Sequence, residues 1–344
     1  MTVLEYFIIS NILKKVKEKF TMENKVCKIL GIKKPVIAAA MTWITNAEFV
    51  AAVSNAGGAG VIGFNAGVTE AATDPVVAAE NLRKQIRKVK ELTDKPFGVN
   101  IMIAPQLDPF TQATLDVFET DRPDFVLALP IEPANPEIYK RLKELDIKIV
   151  SRPMNSTVEN MIAAEKAGAD VLICTGSEEG GHAPEINVSL ISRFPEIKKA
   201  VSIPLMAAGG IADFLAAKAV CAMGADGIYA GTRFIVSKEN PAAQSVKEKI
   251  IDTKAEELIH IPANPGYLYL VPNATSLECK KMESDGKSRE EISAYYSQQG
   301  SFRTGMLLGN QDEGFINCSQ AINVITDIKT CKEIVDELAE PFES

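Results

Sequence analysis

Between residues 34 and 234 the sequence repeats one pattern: a short apolar run, a polar or glycine-bearing break, then a longer stretch with helical periodicity. Eight runs read as strands, at 36–40, 60–63, 98–103, 125–128, 148–150, 171–175, 205–208 and 227–230. The stretches between them include AEFVAAVSNAG, PEIYKRLKELD and ADFLAAKAVCAMGAD, several of them ending on glycine as helix C-termini do. Two such ends, Ala167-Gly168-Ala169-Asp170 and Met223-Gly224-Ala225-Asp226, are near-copies, which suits a fold assembled from like units. Eight strand–helix units in succession predict an α/β fold, the (β/α)8 TIM barrel. A doubly wound open sheet would carry a Gly-rich dinucleotide turn after its first strand, and VIAAAMTWIT has none.

A length of 344 residues suits one such barrel with an insertion. The first 24 residues read as an N-terminal amphipathic helical extension, packing on the domain or on a second subunit to make a homodimer, or lying on a membrane surface. Met22 is an alternative start. Residues 25–238 form the barrel, and 239–301 a mainly helical insertion over its mouth, with an irregular joint at PANPGYLYLVPNAT. Residues 302–344 pack back on the barrel and end in an amphipathic helix around 329–338.

Hydrophobic residues at 46% and charged residues at 24% are the balance of a folded globular protein. A net charge of −8 and the shortness of every basic run argue against nucleic acid as a partner. The densest basic run, KKVKEK at 14–19, reads as a solvated helix face, and a small molecule is the expected partner. Cys27, Cys174, Cys221, Cys279, Cys318 and Cys331 show neither disulfide nor zinc spacing, and read as reduced thiols of a cytoplasmic protein without a metal site. No run approaches the ~18–20 apolar residues that span a bilayer.

In a (β/α)8 barrel the chemistry gathers at the C-terminal ends of the strands, with phosphate commonly held after strands seven and eight. Those ends read Ala208-Gly209-Gly210-Ile211-Ala212 and Ala230-Gly231-Thr232-Arg233-Phe234. Glycines let the backbone approach an anion, and N–H groups at a helix start donate to it without a basic side chain. Beyond strand six comes GSEEGGHAPE, with His182, one of only two histidines. An imidazole there can move a proton at neutral pH, or can be a loop histidine held by its neighbours. His260 lies in the insertion and is expected to serve packing or the surface.

The motifs KPVIAAAMTWIT, SNAGGAGVIG, KPFGVNIM, GSEEGGHAP, MAAGGIAD and GADGIYAGTRF follow one another in the order and spacing of one family. The chain resembles the flavin-dependent family of nitronate monooxygenases and type II enoyl-acyl-carrier-protein reductases. The resemblance implies non-covalent FMN, its phosphate bound by Gly209, Gly210, Gly231 and Thr232. It places Met41 and Asn100 along the isoalloxazine and ribityl portions, adds Gly176, Gly181, Ala208 and Gln320 to the cofactor site, and makes His182 the catalytic acid or base. Three functions follow: oxidation of alkyl nitronates with O2 to a carbonyl compound and nitrite; reduction of enoyl thioesters or quinones with NADH or NADPH; or flavin binding with little turnover. The first is favoured.

Several positions depart from the family pattern. Ala38-Ala39-Ala40-Met41 replaces Gln-Gly-Gly-Met or Gln-Ala-Gly-Met, Glu179 stands where alanine or serine is usual, and Pro184 where glycine is common. Strand four leads into three prolines in LALPIEPANPEIY. Glu179 would repel an anionic substrate or raise the His182 pKa, unless it points to solvent, the commoner fate of such a side chain. The substrate side of the pocket is therefore expected to have diverged, and the phosphate side to be retained.

Overall fold

The computed structural model describes residues 24–131, 135–183, 185–264, 266–298 and 302–343. The N-terminal amphipathic helix, the basic run at 14–19 and Pro184 fall outside the described residues. Eight parallel strands run in the order β1-β8-β7-β6-β5-β4-β3-β2. They are β1 (Val36–Ala38), β2 (Val61–Ile62), β3 (Gly98–Ile103), β4 (Phe125–Pro130), β5 (Lys148–Ser151), β6 (Val171–Thr175), β7 (Leu205–Ala208) and β8 (Gly227–Ala230). Between β2 and β1 the Ala38 N–H donates to Ala59 O and the Ala59 N–H to Val36 O, each at 2.9 Å, which closes the expected barrel.

Alternation along the strands divides the apolar residues between two cores. Ile37, Phe125, Leu127, Val150, Ile173 and Met206 fill the barrel. Their neighbours Val36, Val126, Ile149, Leu172, Leu205 and Ile228 pack outward under the helices. Helix α1 (Lys25–Leu30) sends Val26 and Leu30 into the interior cluster.

The outer ring comprises α2 (Ala47–Asn55), α3 (Pro75–Leu92), α4 (Pro109–Thr120), α5 (Pro136–Glu144), α6 (Val158–Ala167), α7 (Leu190–Ala200) and α8 (Phe214–Ala222). Asp74, Asp108 and Asn135 each accept first-turn N–H groups, and each is followed by a proline in the first helical turn. These pairs start a helix sharply, because the side-chain oxygen satisfies an orphan donor and proline lacks one.

The near-copies perform one task. Gly168 and Gly224 end their helices at φ +115° and +89°. The next Asp in each, Asp170 and Asp226, accepts the N–H of Ile149 or Leu205 on its carboxylate at 2.7 and 2.9 Å. Asp124 does the same for Phe97 at 3.0 Å. These carboxylates fasten the N-terminal ends of alternate strand pairs, opposite the end where chemistry is expected.

Beyond β8 come α9 (Thr232–Ile235), α10 (Gln244–Asp252), β9 (Ile259–Pro262), β10 (Tyr267–Leu270), α11 (Ala274–Ser284) and α12 (Arg289–Gln298). The stretch expected as an irregular joint thus contributes to an antiparallel hairpin, because YLYL alternates and buries Leu268 and Leu270. The last helix, α13 (Cys331–Ala339), packs against α2 and α8 and buries Ile334, Val335 and Leu338 in the outer core. Among the described residues no helix is long and apolar enough to cross a membrane.

Candidate functional site

The strand ends converge on a cavity of about 320 Å3 at the C-terminal mouth of the barrel. This lies at the small end of the range of ligand pockets, roughly 300–1,000 Å3. Met41, Asn100, Gly181, Ala208, Gly209, Gly210, Gly231, Thr232 and His182 all line it. Gly176 and Gln320 are not on its wall. A Cβ at Gly176 would meet the Leu190 nitrogen at 2.4 Å, so glycine there shapes the turn out of β6. Gln320 is exposed and bonds Tyr269, while its neighbour Ser319 lines the cavity.

At the exit of β7 Gly209 and Gly210 take φ of +94° and +73°, a region that L side chains avoid. Gly231 leads directly into α9. The first turn of a helix leaves N–H groups without intrahelical acceptors. The Thr232 Oγ1 accepts the Ser319 N–H at 2.8 Å, leaving its hydroxyl hydrogen to donate. Arg233 turns away: it is 2% exposed and gives its guanidinium to Asp327, so these turns carry no basic side chain.

The wall around Arg152 and Glu179 is polar and buried. Arg152 directly follows β5, its N–H bonded to Ala128 O at 2.9 Å, and its guanidinium bonds the Glu179 carboxylate beyond β6. The two residues are 8% and 9% exposed, and Arg152 Nε and Glu179 Oε1 have no hydrogen-bond partner. Burial pushes the Glu179 carboxyl up against the opposing pull of Arg152, and burial works against the Arg152 charge while the neighbouring Glu179 holds its pKa up. Tyr229 stands beside them, its hydroxyl accepting the Ala40 N–H at 3.2 Å and its pKa pushed up to about 12 by burial.

His182 also lines the cavity, its ring in a T-shaped contact with Phe302 at 6.3 Å between centroids. Burial, and then the charge of Arg152, lower its pKa below the usual imidazole value, so at neutral pH the ring is uncharged. Two expectations are corrected. Glu179 does not point to solvent, because Arg152 gives it a buried partner, and the His182 pKa is lowered rather than raised, first by burial and then by the Arg152 charge. Arg152 and Tyr229 were not expected in the site. Arg152 could have been found from its position, a charged residue immediately past a barrel strand.

The loop carrying His182 is held from outside the barrel. Asn317 Nδ2 donates to Gly180 O at 2.8 Å, and Ala183 exchanges two backbone bonds with Tyr267 of β10, at 2.8 and 3.1 Å. His260 stacks between Tyr267 and Tyr269, at 4.7 and 4.8 Å, in the packing role expected of it.

A family model described as "Nitronate monooxygenase" matches residues 23–341. A probable nitronate monooxygenase of Staphylococcus aureus (strain MRSA252) is 30% identical over 72% of this chain and 77% of its own. A Rhodococcus jostii (strain RHA1) protein named as a 5-hydroxy-7a-methyl-1-oxo-octahydro-1H-indene-4-carboxyl-CoA dehydrogenase is 28% identical over 92% and 94%. The structure of FabK from Thermotoga maritima superposes with a TM-score of 0.81 at 28% identity, over 94% of this chain and 97% of that one. The chain belongs to the nitronate monooxygenase family and is a flavin-dependent oxidoreductase.

Proposed function

We propose that this chain binds FMN and oxidises alkyl nitronates with O2 to a carbonyl compound and nitrite. The observation that carries the reading is one cavity at the strand ends whose wall holds the glycine turns after β7 and β8 together with a histidine whose pKa is lowered by burial. The residues suit the cofactor: Gly209, Gly210, Gly231 and Thr232 offer close backbone and a hydroxyl donor to a phosphate. Asn100 Nδ2, buried on the wall without a partner, offers a donor to the body of the ligand. Met41 and Ala208 supply apolar wall, and Gly181 lines the cavity beside His182 with open space where a side chain would stand. Gly176 acts through the shape of the loop that carries His182, and Gln320 through its backbone bond to Glu178 O at 3.1 Å.

Bound FMN supplies electron acceptance and reactivity toward oxygen. The protein's part is positioning and charge. His182 presents a neutral ring that donates one N–H to a nitronate oxygen while its other nitrogen accepts. Arg152, beside it, stabilises negative charge on that oxygen pair in a water-poor site. Replacing His182 with Ala is expected to lower turnover by about 10²–10³-fold, the usual cost of removing one placed donor to negative charge on the substrate.

A second reading, a reductase or dehydrogenase of acyl thioesters using NADH or NADPH, is favoured by the two similarities that span nearly the whole chain. Anaerobic mixing separates them. Loss of flavin colour with propionate 3-nitronate but not with NADH or NADPH supports the first reading; the reverse supports the second. No colour loss with any of them leaves a flavin-binding protein with little turnover. Failure to take up FMN on reconstitution overturns all three.

A further inference from the structure

Phe302, Met306, Asn317 and Ser319 of the later chain complete the wall of the cavity. Asn317 is bonded to Gly180 O and Ser319 to Thr232 Oγ1, at 2.8 Å each, so both are tied directly to loops of the barrel. Phe302 and Met306 stand on one short segment whose two ends are held differently. The Met306 end is fixed. Met306 is 1% exposed, its carbonyl accepts the Ala243 N–H at 3.0 Å, and a Cβ on the neighbouring Gly305 would come within 2.0 Å of the Phe315 oxygen. The Phe302 end is half-buried. It reaches the barrel with the Phe302 ring, set against His182, and with Arg303, whose Nε–H donates to Thr69 O in the exposed loop between β2 and α3. Between the two ends Arg303–Leu307 forms a π-helical turn, with the Leu308 N–H bonded to Arg303 O at 3.1 Å. Such turns are rare and recur at functional sites.

The cavity has to pass more than its volume holds. At about 320 Å3 it is at the small end for a single ligand, and a flavin-dependent oxidoreductase must admit both a flavin and a substrate. Some part of the wall therefore moves. The strand ends are held by ladder bonds to their neighbours around the barrel, whereas the Phe302 end is held by an exposed hydrogen bond and a ring contact. Exposed bonds and sparse packing mark the parts of a fold that open most readily.

We propose that Phe302 is a cover over His182 and that Arg303 is the positioning residue that latches it, the bond to Thr69 O holding the Phe302 end closed and its breaking letting that end swing out on the fixed Met306 end. Closed, the segment keeps water from the imidazole and holds the ring in its T-shaped contact. Open, it admits cofactor and substrate. The latch acts on access and not on a chemical step, so it holds whichever reaction the site performs. Arg303 touches neither His182 nor the cavity and works through its neighbour Phe302.

The chain has two histidines, which makes the latch measurable without cofactor or substrate. Diethyl pyrocarbonate acylates the unprotonated imidazole, and peptide mass spectrometry separates His182 from His260. His260, stacked against Tyr267 and Tyr269 on the hairpin, is the internal control. At about pH 8 both rings are unprotonated. Arg303→Ala is expected to raise the rate at His182 about two- to tenfold, the effect of one lost hydrogen bond on the closed state, and to leave the rate at His260 unchanged. An unchanged rate at His182 overturns the proposal, and so does an equal rise at both histidines, which reports general loosening. Arg303→Gln keeps a side-chain donor without the charge, and its His182 rate should lie between those of the parent and Arg303→Ala. It also supplies the comparison with the parent should Arg303→Ala not fold.

FMN exchange is the second readout. A latch that closes alike over the empty and the filled cavity speeds entry and exit together when it is removed. In Arg303→Ala the rates of FMN association and release, followed by flavin fluorescence, should therefore rise by a similar factor while Kd stays nearly constant. Faster release with unchanged association would make Arg303 a support of the bound cofactor and overturn the latch. Should the parent take up no FMN, the flavin reading falls, and the two histidine rates decide the latch by themselves.

Discussion

At the scale of single residues, the His182 environment predicts a stability signature distinct from catalysis. Its pKa is lowered in the folded protein below the ordinary imidazole value of about 6.5, first by burial and then by Arg152. Below about pH 6.5 the unfolded chain therefore binds a proton that the folded chain resists, and stability falls as pH falls through that window. Above it the contribution is flat. The urea midpoint of the parent should drop more between about pH 7.5 and pH 5.5 than that of His182→Ala. Equal drops would mean that the ring is not held uncharged. His182 was legible in the sequence because a glycine pair and a histidine at a strand end are a local pattern. The environment of Glu179 was not, since its partner Arg152 lies 27 residues away and no local spacing shows the pairing.

At the scale of elements, the turns out of β7 and β8 were legible because backbone freedom is written directly into glycine. Gly209 has φ +94°, and a Cβ there would meet the Gly176 oxygen at 3.0 Å. Gly209→Ala is expected to cost about 1–3 kcal/mol in stability through local strain. It should also weaken flavin retention, read as bound flavin after gel filtration, by displacing the backbone proposed to hold the phosphate. Full flavin retention in this variant would remove Gly209 from the cradle. Strand ends and the hairpin were harder to read. β4 and β5 run on to Pro130 and Ser151, beyond their expected ends, because pairing with neighbouring strands extends them. The β9–β10 hairpin lay hidden among prolines and asparagine, which mark turns more plainly than the strands they flank.

At the scale of the whole molecule, the barrel supplies the residues at its strand ends, while the later chain fixes the loop that carries His182. Gly180 lies against the backbone of Cys318 and Ser319, where a Cβ would come within 2.3 Å of the Ser319 nitrogen. Asn317 bonds Gly180 O, Tyr267 pairs with Ala183, and Arg289 of α12 reaches Glu185 at 2.5 Å. These contacts cross more than 80 residues of sequence, so no window of the chain displays them. The barrel should therefore fold with the loop attached even when one clasp is cut, and the loop alone should loosen. Replacing Asn317 with Ala removes a hydrogen bond worth about 0.5–1.5 kcal/mol and leaves the Gly180 carbonyl to find another donor. Hydrogen exchange should quicken across residues 177–183 while the strand amides stay protected. Turnover should fall with it, because the loop sets where the imidazole sits and a displacement of about 1 Å can cost a hundredfold in rate. If exchange in the loop is unchanged but turnover falls, Asn317 acts on the ligand from its own place on the cavity wall and not through Gly180.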